Sequence, residues 1–137
     1  MKRSHAQAEA ERWLAQAEND LAFAEHGVEL GFFAHTCFLA QQAAEKAAKA
    51  VHYAGGARVV MGHSVDGLLE SLEAQAPEVA ELRDGAKELD QHYVPTRYPN
   101  GLPGNVPFRA YTGEQARRAL GHARSIVAFA RARAGSA

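Results

Sequence analysis

Residues 94–111 read Val-Pro-Thr-Arg-Tyr-Pro-Asn-Gly-Leu-Pro-Gly-Asn-Val-Pro-Phe-Arg-Ala-Tyr and carry Arg97, Tyr98, Phe108, Arg109 and Tyr111. Guanidinium forks grip phosphates through paired N–H donors, and aromatic rings stack on bases. Pro99 biases Tyr98 toward extended backbone, which could aim Arg97 and Tyr98 the same way. Four of the chain's five prolines, Pro95, Pro99, Pro103 and Pro107, fall in this stretch. Proline lacks the N–H and clashes with the preceding turn, so no continuous helix is expected through it. Long inserts of this kind are uncommon in compact domains and are usually functional or disordered. We read a candidate binding loop. The alternative is that Arg97 only ties the loop down, by bonding carbonyls or a carboxylate.

A second constellation is Gln41-Gln42-x-x-Glu45-Lys46-x-x-Lys49. Gln42, Lys46 and Lys49 are three or four residues apart, so on a helix they share one face, and Glu45 and Lys49 form an i,i+4 pair. The two lysines are candidate phosphate contacts. A solvated, internally paired stripe is the plainer reading. A third candidate is His63, which precedes Ser64 and stands four intervening residues after Arg58. It can donate to or accept from a ligand, or serve the loop structurally. The seven histidines are scattered, with no His-x-x-x-His or Cys-x-x-Cys pattern, so no metal site is expected. No phosphate-cradling glycine loop or nucleophilic serine elbow is present, and no cofactor is implied. Cys37 falls within a helical pattern and reads as packing.

These residues must be positioned by helices. Leu14, Ala17, Leu21, Ala24 and Val28 recur at spacings of three and four, the seam of a bundle helix. Gly27 and Gly31 are expected at its fraying end. A second helix is predicted from Phe33 to Tyr53, with Phe38, Ala44, Ala48 and Val51 in the core and Gly55-Gly56 as its stop. Ser64 is a plausible N-cap for a third segment that buries Val65, Leu68, Leu69 and Leu72. Pro77 suits the first turn of a fourth helix, continued by Leu82, Ala86, Leu89 and Tyr93. Thr112-x-x-Gln115 is a capping-box pattern opening a last helix to about Arg133, with Leu120, Val127 and Ala130 inward. No strand-like alternation appears. The fold class is all-α: an antiparallel four- to five-helix up-and-down bundle with a long Pro-rich loop before the last helix.

A length of 137 residues implies one domain, residues 1–137, large enough to bury a core without disulfides. Apolar residues are 47% and charged residues 23%, ordinary for a soluble protein. A net charge of −1 excludes the global basic field of a bulk nucleic-acid binder. One cysteine fits a reducing compartment. No membrane-length apolar run appears, and no signal core follows the basic N-terminus, so a cytoplasmic protein is expected. Eight acids crowd residues 66–90 and five arginines follow Thr112; solvated faces that pair with each other explain both. Seams rich in alanine bury little area per residue, so a homodimer is expected to cover a further face.

The ordered set of motifs resembles the HEPN domain, named for higher eukaryotes and prokaryotes nucleotide-binding. The resemblance is carried by Trp13-Leu14-x-x-Ala17-x-x-Asp20-Leu21 and Phe38-x-x-Gln41-Gln42-Ala43-Ala44-Glu45-Lys46-x-x-Lys49. It continues in His63-Ser64-Val65-x-x-Leu68-Leu69, Leu89-Asp90-x-x-Tyr93-Val94-Pro95-Thr96-Arg97-Tyr98-Pro99 and Tyr111-Thr112. It implies an antiparallel helical bundle, commonly dimeric, that binds a nucleotide such as ATP or GTP. Prokaryotic members often partner a small nucleotidyltransferase in a toxin–antitoxin-like module. The ligand set expected on this resemblance is Gln42, Lys46, Lys49, His63, Arg97, Tyr98 and Arg109. A branch of the family consists of metal-independent ribonucleases with an Arg-x4–6-His motif. In that alternative His63 would move the proton and Arg97 or Arg58 would stabilise the phosphorane, with RNA as substrate. The chain departs from that motif, because no histidine follows Arg97 within reach and Arg58 precedes a glycine-flanked turn. A pure protein-interaction module is the third alternative.

Overall fold

The computed structural model describes residues 4–135; Met1 and the basic Lys2 and Arg3 lie outside the described residues. Helix α1 spans His5–Glu29, α2 Phe33–Ala54, α3 Val65–Glu70, α4 Arg83–Asp90, α5 Pro107–Ala110 and α6 Gly113–Ala134. Among the described residues there is no strand. The all-helical bundle expected from the sequence is the observed architecture. Its third leg is divided: a 3-10 segment, Pro77–Leu82, feeds directly into α4. Tyr93 lies beyond the end of α4, not on it.

Ion pairs between legs define the topology. Arg131 pairs with Glu18 and Arg124 with Glu25, so α6 runs antiparallel to α1. Arg133 pairs with Glu78 and Arg118 with Glu88, so the α4 leg also runs antiparallel to α6. The two charge runs of the sequence are therefore partly explained by each other. Helices α1, α2 and α6 each pack on the other two, while α3 and α4 close the side formed by α2 and α6.

The core is built on alanine. On α2, Ala34, Ala40, Ala43, Ala44, Ala47, Ala48 and Ala50 are all buried, facing Leu14 and Ala17 of α1 and Ala123, Ile126 and Ala130 of α6 among others. Leu69, Leu72, Val79 and Leu89 fill the α3–α4 side. Phe38, expected in the core, is only partly buried and faces the loop instead. The two caps predicted from residue type, Ser64 and Thr112, set helix starts, and the structure adds a third at Ser4. Ser4 accepts from Gln7 N, Ser64 from Gly67 N, and Thr112 and Gln115 form the reciprocal capping box.

The Pro-rich stretch carries more order than a plain loop. Pro99 and Pro107 each open a turn, a 3-10 segment at Pro99–Gly101 and the single turn α5. Proline is tolerated at a first helical turn because its missing N–H has no partner there anyway. Helix α5 packs back onto α2.

The α1–α2 turn shows how tightly the body is set. Gly31, at φ +84°, reverses the chain, and Phe32 N donates to Gly27 O. Gly27 is not a fraying point: it is buried inside α1 where α2 crosses it. A Cβ at Gly27 would sit 2.5 Å from the hydroxyl of Thr36, which is buried and donates to Ala24 O. Gly27→Ala should therefore lower the unfolding free energy by roughly 1–3 kcal/mol. Adding Thr36→Ala should recover part of that loss, because it removes the clashing oxygen. Urea unfolding of both single variants and the double variant reads the coupling; strict additivity would contradict the close contact.

Candidate functional site

The site begins with a buried carboxylate. Glu45 sits on α2 at 4% exposure, and its neighbours Gln41 and Lys49 are buried with it. A carboxylate in that position needs partners on both oxygens. Lys49 Nζ approaches Oε2 at 3.0 Å, Gln41 Nε2 donates to Oε1 at 3.3 Å, and Gln42 Nε2 is 3.4 Å from Oε1. His63 Nδ1 approaches both oxygens, at 3.3 and 3.2 Å. The expectation of a solvated Glu45–Lys49 stripe is corrected by this burial. The pair is an internal anchor, with Lys49 over the ring of Trp13 and Trp13 stacked on Tyr53.

His63 is held at its main chain as well. Its carbonyl accepts from Gln41 Nε2 at 2.9 Å. Directly after it, Asp90 of α4 accepts from Ser64 Oγ, Val65 N and Asp66 N at 2.8, 2.7 and 3.2 Å. The start of α3 is thus fixed from α2 and α4 together. The imidazole remains 59% exposed and lies flat against Tyr93, with ring centroids 4.8 Å apart and planes 18° apart.

Tyr93 links His63 to Arg97. The Arg97 guanidinium sits over three rings, 4.5 Å from Phe38, 4.7 Å from Tyr93 and 5.2 Å from Tyr98. Its Nε donates to Tyr93 O at 2.8 Å, so the arginine does tie down the loop. Its two terminal nitrogens have no partner among the described residues. Arg12, Arg83, Arg118, Arg124, Arg131 and Arg133 each meet a carboxylate. Arg97, like Arg58, Arg109 and Arg117, is exposed and meets none; it differs from them in sitting over three rings. An unpaired fork on an aromatic shelf suits an anionic, planar ligand.

The other sequence candidates divide. Tyr98 is about half exposed beside Arg97. Arg109 lies over the ring of Phe108, which lines a cavity of about 310 Å³ together with Arg97, Phe38 and His35. Lys46 is committed elsewhere, 2.6 Å from Asp20 of α1, and Lys49 to Glu45. Gln42 donates to Gln41 Oε1 at 2.8 Å. Neither lysine is left free for a phosphate. Arg58 faces a separate cavity with His5, Glu9 and Tyr53, whereas Arg97 and His63 both pack on the Tyr93 ring. Sequence reasoning missed Phe38 and Tyr93 as the shelf and Glu45 as the partner of His63. The signal was present: Phe38, Gln41 and Glu45 recur at spacings of three and four on one helix face. Among the described residues no group of His, Cys, Asp or Glu is placed to hold a metal ion, and no helix is long and apolar enough to cross a membrane.

An antiparallel helical bundle with this α2 motif and this loop defines a HEPN-type domain. The HEPN domain model matches residues 10–133, and the chain belongs to that family. It is similar to TT1696 from Thermus thermophilus, with a TM-score of 0.87 and 42% identity, over 91% of this chain and 98% of that one. It is also similar to ST0689, described as an archaeal HEPN homologue, with a TM-score of 0.75 and 32% identity over 96% and 98% of the two chains. A protein of Methanocaldococcus jannaschii named "Putative toxin MJ1304" is 26% identical over 86% of this chain and 83% of its own length.

The base of the loop contains a titratable group that the site does not use. His92 lies beneath it, edge-on to Tyr111 at 5.5 Å, and its carbonyl accepts from Thr96 Oγ1 at 2.5 Å. Its Nδ1 is buried without a hydrogen-bond partner among the described residues. Burial holds this imidazole below the ordinary 6.5; Arg118 and His122 act in the same direction, while Glu88 opposes them. The unfolded chain then binds the proton more readily than the fold does. The contribution of His92 is complete above about pH 6.5 and is lost as pH falls below it. His92→Phe should therefore flatten the stability–pH curve between about pH 7 and pH 5 relative to the parent chain. Urea midpoints measured across that range provide the check, and parallel curves would contradict the assignment.

Proposed function

We propose that Arg97, Tyr98 and His63 form a nucleotide-binding site, and that the protein acts without catalysis as the partner of a nucleotidyltransferase in a toxin–antitoxin-like module. The observation that carries this reading is the exposed Arg97 fork seated on Phe38, Tyr93 and Tyr98, with the tethered His63 stacked on the same Tyr93 ring. Phosphates would meet the guanidinium, the base would stack at Tyr98 and His63 would hydrogen-bond the ligand. Arg109 and Gln42 stand at the margins of the site, and Lys46 and Lys49 act as scaffold. The likeness to a protein named as a toxin supports the module.

One observation favours a second reading, a metal-independent ribonuclease. A histidine tied to a carboxylate, with an arginine packed on the same tyrosine ring, has the parts for proton transfer from a ribose 2′-hydroxyl and for stabilising the phosphorane. Growth arrest on expression and RNA cleavage that persists in chelator and disappears in His63→Ala would establish it.

A homodimer also belongs to this proposal. Phe23, Leu30, Phe32 and Phe108 are each more than half exposed. The first three line an apolar cavity of about 440 Å³ that shares His35 and Phe38 with the Phe108 cavity, so the two form one face. These four side chains expose on the order of 500 Å². That is more than half of the ~800 Å² each partner buries in a stable complex.

Two experiments test these statements. Titration calorimetry with ATP and GTP should show saturable binding to the parent chain. Arg97→Ala should weaken it about tenfold or more while the helical circular dichroism is retained, since a hydrogen bond to a charged group is worth ~1.5–3 kcal/mol. Binding unchanged in that variant would overturn the site. Light scattering should report a dimer for the parent chain and a monomer for Phe32→Asp; a monomeric parent chain would overturn the assembly.

A further inference from the structure

We infer that Glu45 is a positioning residue that holds His63 in its Nδ1–H tautomer, so that Nε2 is the atom presented to the ligand. This rests on the reading that His63 contacts the nucleotide. The argument is one of donors and acceptors. Glu45 lies against the Lys49 ammonium at 3.0 Å and against the Gln41 amide at 3.3 Å, and a carboxylate so placed can only accept. The ring nitrogen that faces it must therefore donate. That nitrogen is Nδ1, forked between the two oxygens. In a neutral imidazole only one nitrogen carries hydrogen, so the proton at Nδ1 leaves Nε2 as a bare acceptor.

The ring has little freedom to escape this arrangement. Its face is fixed by Tyr93 and its carbonyl by Gln41. The next residues are pinned by Asp90. A bare Nε2 accepts from a hydroxyl or an N–H and repels a phosphate oxygen. The site thereby divides its work: Arg97 takes the phosphates, and Nε2 of His63 takes a sugar hydroxyl or a base N–H.

Glu45→Gln tests the assignment with little change of shape. The Lys49 ammonium claims the single carbonyl oxygen of the new amide, which turns its NH2 toward His63. Nδ1 must then accept, and the proton moves to Nε2. Long-range proton–nitrogen NMR of the ligand-free protein, well above the ordinary histidine range, reads the tautomer directly. The expected result is Nδ1–H in the parent chain and Nε2–H in Glu45→Gln. Lys49→Met keeps the carboxylate and should keep the Nδ1–H form, which separates the effect of Glu45 from general loosening of the network. An Nε2–H parent chain overturns the inference without recourse to any variant, whether or not Glu45→Gln folds. In ATP titrations, Glu45→Gln and His63→Ala should each weaken binding about tenfold, and the double variant no further. A Glu45→Gln loss that persists in full on the His63→Ala background also overturns it. A parent chain with the Nδ1–H form that binds no nucleotide leaves the tautomer assignment standing and overturns the nucleotide reading instead.

Discussion

A carboxylate removed from water must find its hydrogen bonds inside the protein, and Glu45 places that demand at the centre of this bundle. Meeting it commits Lys49 and Gln41 on the same helix. It also draws in His63 from a segment eighteen residues away in sequence. Through Lys49 the network reaches Trp13 of α1, and through His63 it reaches Tyr93 and then Arg97 of the loop. One buried charge therefore connects the rigid body of the bundle to its exposed aromatic edge. Removing a single partner would leave the others with unmet charge or polarity, which costs more than the pair contributes when intact.

The alanine seams explain why this network sits on α2. Small side chains bring α1 and α6 close to α2 along most of its length. Long polar side chains must therefore lie flat and pair, as Lys46 does with Asp20 and Lys49 with Glu45. Toward the N-terminal end of α2 the packing changes. Phe38 is only partly buried, and the turns opened by Pro99 and Pro107 fold the loop against that end. Helix α2 carries Glu45 and Phe38, the segments flanking α3 and α4 carry His63 and Tyr93, and the loop supplies Arg97. A scaffold that pairs the cations of α2 internally and leaves the Arg97 guanidinium open over aromatic rings is suited to receive an anion there.

The helix pattern was legible because it is local. The seam spacings of α1, the Ser64 cap and the Thr112–Gln115 capping box depend on residues within one or two turns of each other. The expected pairing of the acidic and arginine-rich runs appears as Arg118–Glu88 and Arg133–Glu78. Gly27 was misread for the opposite reason. Glycine near a helix end usually signals termination, but here it makes room for Thr36 of another helix.

Residue type alone determined that this chain is all-helical, that its Pro-rich stretch interrupts the helices, and that Arg97 and His63 are candidates for chemistry. Only the tertiary structure decided which cations are free. Lys46 and Lys49 look like phosphate ligands until Asp20 and Glu45 are placed beside them, and Arg58 looks as near to His63 as Arg97 until the loop folds back. The reason is physical. Helix periodicity is fixed by backbone geometry within a few residues, whereas the state of a charge depends on what lies within a few ångströms of it, and only folding assembles that company.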